Sequence, residues 1–309
     1  MSRMPFYAVM ALMIAAGVAA SLGERDPNVS LDSAREIWAD ILRDADQVGL
    51  QATRVSADRE MRLGTELAGA IKTDDVEVAR YVAAVGEALL PQVNRKAIRY
   101  QFHVIRSSSI NAFALPGGHI YVFTGLLDFL ESEAELAAIL GHEISHVDLR
   151  HCIERYQYEL ALRKLKAAPA GEIVSIAHNL AAFGYAQYQE LEADTSGERL
   201  SIEAGYDPDA AAAVFNRMSD KFGEKDQPRA ETPGSEAAQA VAEALGAYFR
   251  SHPPSAERAR QLSEMVARNR VNLAGRHVYV GFENYRRKIP RRERQFSGET
   301  RVYGGTDRY

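Results

Sequence analysis

Two histidines four residues apart enclose a glutamate in the segment His142-Glu143-Ile144-Ser145-His146. On a helix such a pair lies on one face, about 40° apart around the axis, so both imidazoles can reach one divalent cation. Glu143 then stands beside the ion, where its carboxylate can take a proton from a water polarised there. The chemistry implied is metal-assisted hydrolysis. A hydrolytic metal site needs three protein donors and an open position, so a third ligand must come from elsewhere in the chain.

The candidates are Glu190 and Glu192 in Gln189-Glu190-Leu191-Glu192-Ala193-Asp194, and His178. Glu190 and Asp194 share a helix face, whereas Glu192 points roughly 160° away from Glu190. A ligand at Glu190 would bring Asp194 alongside, able to accept a hydrogen bond from the outer nitrogen of a ligating imidazole. His178 has no such companion and sits among Ile176, Ala177 and Leu180, which reads as core. Glu190 is therefore the expected third ligand. Two neutral imidazoles, one carboxylate and a vacancy favour zinc, one ion per chain. His151 and Cys152 fall out of phase on a continuous helix and read as packing or surface residues.

These residues need elements to hold them. Ser132 and Glu135 form a capping box that opens the motif helix, with Leu136, Ile139, Leu140, Ile144 and Val147 as its buried stripe. Gly141 inside it suits a close backbone approach. Polar residues from Arg155 to Lys166 suggest that this helix runs on as an exposed arm. A further helix is expected over Glu172 to Ala204 with interruptions at Gly184 and Gly197, and others over 32–47, 56–71, 74–90, 208–222, 236–249 and 255–269. Residues 221–235 read as a surface loop. Ile98 to Ile105 alternates as a strand does, and Asn111 to Leu115 with His119 to Phe123 forms a hairpin about Pro116-Gly117-Gly118. Another strand is expected over 277–282. The class is α+β, mostly helical, with a small sheet.

Together, 132–151, Glu190-Leu191-Glu192-Ala193-Asp194 and Asn111-Ala112-Phe113-Ala114-Leu115-Pro116-Gly117-Gly118 resemble the zinc metallopeptidases related to the CAAX prenyl proteases, peptidase family M48, in their soluble BepA-like and Oma-type branches. The likeness runs from about Ser56 to Arg270. It implies a zincin-like metallopeptidase domain that cleaves misfolded envelope proteins, with His142, His146 and Glu190 on the metal and Glu143 as general base. It also implies that His252, followed by Pro253 and Arg258, lies near the metal as an oxyanion donor anchored by the arginine. The same dipeptide also suits the opening of a helix. Asn111, Ala112, Phe113 and Ala114 are the expected edge strand to which a peptide substrate adds by backbone pairing, the rival reading being a hairpin packed on the core. A non-catalytic chaperone or scaffold on the same fold is the rival for the whole chain.

The 309 residues, 46% hydrophobic and 26% charged, suffice for a sizeable core, and a net charge of −5 gives no footprint for nucleic acid. Arg3, the apolar run from Phe6 to Ala20 and the small residues Val18-Ala19-Ala20 read as an export signal, with a periplasmic product expected. An uncleaved membrane anchor is the alternative. The expected divisions are a signal at 1–20, a helical segment at 21–55, the peptidase domain at 56–270, and a strand with a basic tail at 271–309. Arg286, Arg287, Lys288, Arg291, Arg292 and Arg294 read first as solvated and second as a contact for anionic lipid or an acidic partner.

Overall fold

The computed structural model describes residues 55–73, 76–157, 176, 185–222, 252 and 256–304. The export signal, the helices expected over 32–47 and 236–249, His178, Gly184 and nearly all of the 221–235 loop lie outside these residues. No helix among those described is long and apolar enough to cross a membrane.

Ser56 caps α1 (Ala57–Ala68), its side chain accepting the Arg59 amide. The next helix, α2 (Val76–Leu89), gives way to a 3₁₀ turn at Leu90–Gln92 because Pro91 lacks the amide to continue it. Strand β1 (Gln101–Ile105) runs parallel to β3 (His119–Phe123), and β2 (Ala112–Leu115) pairs antiparallel with β3. The sheet order is β1-β3-β2, so β2 is an edge among the described strands. The expected hairpin is present. Gly117 and Gly118, at φ 81° and 95°, supply the left-handed backbone of its turn. A short α3 (Thr124–Phe129), not foreseen, leads into the motif helix.

That helix, α4 (Glu133–Asp148), starts where expected: Ser132 Oγ accepts the Glu135 amide at 3.2 Å. All 16 of its residues are buried, so it is the central helix of the core and not one with a single apolar stripe. Its first amides are taken up by backbone, Glu133 N to Gly281 O at 3.1 Å and Ala134 N to Val280 O at 3.0 Å. At the other end Arg95 Nη1 donates to Val147 O at 2.7 Å, setting a cation against the negative helix terminus. The expected exposed arm is not formed as one continuous helix. Leu149 leaves helical geometry, Arg150 takes φ 73°, and residues 151–157 begin a separate helical stretch.

Helix α5 (Gln187–Glu203) crosses α4 at two glycines. A Cβ on Gly141 would lie 2.7 Å from Gly197 O, and one on Gly197 would lie 2.7 Å from the His142 amide nitrogen. Gly197 is thus no interruption; it sits inside an unbroken helix as the contact point that lets the two backbones touch. Gly197→Ala gains about 1 kcal/mol of helix propensity but forces apart main-chain atoms that cannot rotate away. We expect a net loss of about 1–2 kcal/mol and weaker zinc binding, read by thermal unfolding and chelator competition; a raised Tm would contradict the close-approach account.

Helices α6 (Ala210–Phe222) and α7 (Ala256–Asn272) pack alongside. The C-terminal segment forms β4 (His277–Tyr279), α8 (Phe282–Arg287) and β5 (Thr300–Val302), with β4 and β5 antiparallel. The strand expected over 277–282 is shorter because Gly281, at φ 76°, turns the chain into α8. Its basic run is solvated in part: Arg286, Arg287, Arg292 and Arg294 are exposed, but Lys288 and Arg291 are drawn in. Arg291 stacks on Tyr206 and Tyr279 and donates to Ala204 O at 2.9 Å, while Lys288 lies over Tyr285.

Candidate metal centre

The crossing of α4 and α5 brings His142, His146 and Glu190 together. His142 Nε2 lies 3.1 Å from His146 Nε2 and 3.4 Å from Glu190 Oε2, and His146 Nε2 lies 3.5 Å from Glu190 Oε1. Donors held tetrahedrally about 2.0–2.1 Å from a zinc ion stand about 3.3–3.4 Å from one another. The spacing is that of ligands around an ion.

Proton positions agree. Asp194 Oδ1 is 2.9 Å from His142 Nδ1, so that nitrogen carries the hydrogen and Nε2 offers its lone pair inward. Two imidazole nitrogens and a carboxylate pointing at one buried spot repel each other unless a proton or a metal cation sits between them. Burial raises the Glu190 carboxyl, but the charges of His252 and Arg258 outweigh this and hold it well below its ordinary value. Asp194 is likewise opposed by burial and brought down by Arg258. Burial keeps the His146 imidazole neutral, its proton affinity well below the usual range.

Arg258, on α7, is buried and ties the carboxylates together. Its Nη1 is 2.8 Å from Glu190 Oε2, and its Nε and Nη2 each lie 2.8 Å from an oxygen of Asp194. Its Nη1 also reaches His252 O at 3.3 Å, the contact the resemblance implied. The contacts to Glu190 and Asp194 were not foreseen from sequence.

His252 is fully buried. Its Nδ1 is 3.2 Å from His142 Nε2 and 3.1 Å from Glu190 Oε1, and its Nε2 is 3.2 Å from Glu143 Oε1. Burial would lower its pKa, but Glu190 and Glu143 raise it to about 10. His142, His146, Glu190 and His252 each offer a ligand atom within 4.8 Å of the others, a set that could hold a metal ion. Glu143 is wholly buried, and apart from the His252 contact neither oxygen has an aligned donor.

Strand β2, buried along its length, packs against α4. Phe123 N donates to Asn111 O, so alternation along the antiparallel ladder turns the polar groups of Ala112 and Ala114 toward the free edge. Cys152 Sγ meets Ala114 O at 3.6 Å and Tyr185 Oη at 3.2 Å. The Tyr185 ring stacks on His146 with centroids 3.7 Å apart. Glu192 points away from the ligands, and its side chain is 58% exposed. His151 is not the bystander expected of it: the break at Arg150 turns it inward to within 3.0 Å of His146.

A family model, peptidase family M48, matches residues 77–266. The chain belongs to that family. Its metal is zinc, for which these donors are suited. The chain is 31% identical over 198 residues to the mitochondrial metalloendopeptidase OMA1 of Schizosaccharomyces pombe, covering 62% of this chain and 54% of that protein. It is 26% identical over 189 residues to the β-barrel assembly-enhancing protease of Escherichia coli K12, covering 54% and 39%. Against metalloprotease LoiP of the same organism it is 28% identical over 202 residues, covering 62% and 71%. The chain thus spans about half, or less, of the length of the first two.

Proposed function

We propose that the chain is a single-zinc endopeptidase that cuts extended or unfolded protein segments. The observation that carries this is the buried Glu143 carboxylate beside three convergent donors, His142, His146 and Glu190. When bound, zinc supplies Lewis acidity, polarising a peptide carbonyl and making a water acidic near neutral pH. Glu143 takes the proton from that water and later returns it to the leaving amine. Asp194 orients His142, and Arg258 orients both carboxylates. The His252 ring, flanked by Glu190 and Glu143, stabilises the developing oxyanion.

The substrate pairs along the edge of β2. Ala112 and Ala114 offer backbone groups there; both are buried, so the cover over the strand, including the thiol contact from Cys152 to Ala114 O, has to yield for a peptide to pair. Backbone pairing selects for extended chain over particular side chains, which suits misfolded proteins. Small side chains at Ala112 and Ala114 also suit packing against α4, so pairing is the part of the reading that rests on register alone. The apolar run at 6–20 supports export and quality control in the cell envelope, with an uncleaved anchor as the other outcome of fractionation. The relatives named as a mitochondrial metalloendopeptidase and a β-barrel assembly-enhancing protease support a protein substrate.

A second reading has His252 Nδ1 as a fourth ligand, since it stands at ligand spacing from His142 and Glu190. Casein hydrolysis by the zinc-loaded chain and its His252→Ala form separates the two. An oxyanion donor predicts a loss of about a hundredfold to a thousandfold in kcat with zinc retained. A fourth ligand predicts activity equal to or above the parent. No hydrolysis by the zinc-loaded parent would favour the chaperone alternative.

A further inference from the structure

We propose that His151 is a positioning residue for the metal centre, carrying the influence of the surface carboxylate Glu192 to the buried ligand His146. Two contacts form the relay. His146 Nδ1 is 3.0 Å from His151 Nδ1, and His151 Nε2 is 3.2 Å from Glu192 Oε2. Both histidines are buried, whereas Glu192 lies largely in solvent.

The direction of each hydrogen bond follows from its surface end. An ionised carboxylate only accepts, so His151 must carry its hydrogen on Nε2 and present a bare Nδ1. That bare nitrogen accepts from His146 Nδ1, which leaves the lone pair of His146 Nε2 aimed at the metal position. Tyr185, stacked on the His146 ring, prevents the imidazole from turning to another acceptor. His142 has its tautomer set directly by Asp194; His146 has its own set through one extra imidazole. The relay exists because Arg150 breaks the helix. On a continuous helix, position 151 would face away from 146.

The inference rests on the metal centre and not on peptide hydrolysis, so its test reads tautomers and zinc affinity. In the zinc-loaded full chain labelled with ¹⁵N-histidine, long-range ¹H–¹⁵N spectra should show His151 protonated on Nε2 and bare on Nδ1. Glu192→Ala, an exposed change, should give His151 a mixture of tautomers. His151→Phe should weaken zinc binding about 10- to 100-fold by chelator competition, and His151→Asn, whose side-chain oxygen stands where Nδ1 stood, should recover most of it. A His151 protonated on Nδ1, a spectrum indifferent to Glu192→Ala, or a His151→Phe protein that binds zinc like the parent would each overturn the relay. Should the Phe variant fail to fold, the spectra decide alone. A parent that holds zinc tightly but cleaves nothing would count against the peptidase reading and leave the relay intact.

Discussion

Glu143→Gln should lower casein hydrolysis by about a hundredfold to ten-thousandfold and leave zinc stoichiometry unchanged. Glutamine fills the same volume and can keep the contact to His252, so the core around a fully buried position is preserved. What it cannot do is accept a proton from water at neutral pH. Retained zinc with lost turnover assigns the carboxylate to proton transfer; lost zinc would assign it to the ligand set. Turnover equal to the parent would remove it from the mechanism. Activity assays with metal analysis on the same preparations give the answer.

Arg258→Leu is expected to be the most destabilising single change near the site. The guanidinium faces two buried carboxylates, Glu190 and Asp194, with three contacts of 2.8 Å. Removing it leaves those charges uncompensated in the metal-free protein, at about 3–5 kcal/mol. That corresponds to a fall in Tm on the order of 10 °C for a domain of this size. Zinc offsets one of the two charges, so the loaded variant should recover part of the loss while the parent gains less from loading. Thermal unfolding of both proteins with and without zinc measures this, and equal zinc-induced shifts would mean that Arg258 does not compensate Glu190.

The motif helix, its Ser132 cap and the hairpin were legible because each is written in local spacing and turn chemistry. Local phase also singled out Glu190 and Asp194, which the fold brings to His142. The break after Asp148 was not legible, since a left-handed arginine leaves no propensity signal, and the position of His151 was lost with it. Gly197 looked like a helix breaker because its partner, Gly141, is 56 positions away and only the fold joins them. The basic C-terminal run misled for a similar reason. Arg291 finds the Ala204 carbonyl and the Tyr206 ring just past α5 and Tyr279 on β4, contacts that no local window contains, while Arg286 and Arg287 stay exposed beside Glu283.

The meeting of Gly141 with Gly197 has one more effect. At this crossing main chain rests on main chain, and that contact spaces the donors on α4 and α5. Such a chelate has a fixed bite, and its selectivity follows ionic radius. Cobalt, close to zinc in size, should enter without strain, whereas the larger calcium, which also prefers all-oxygen shells of six or more atoms, should be refused.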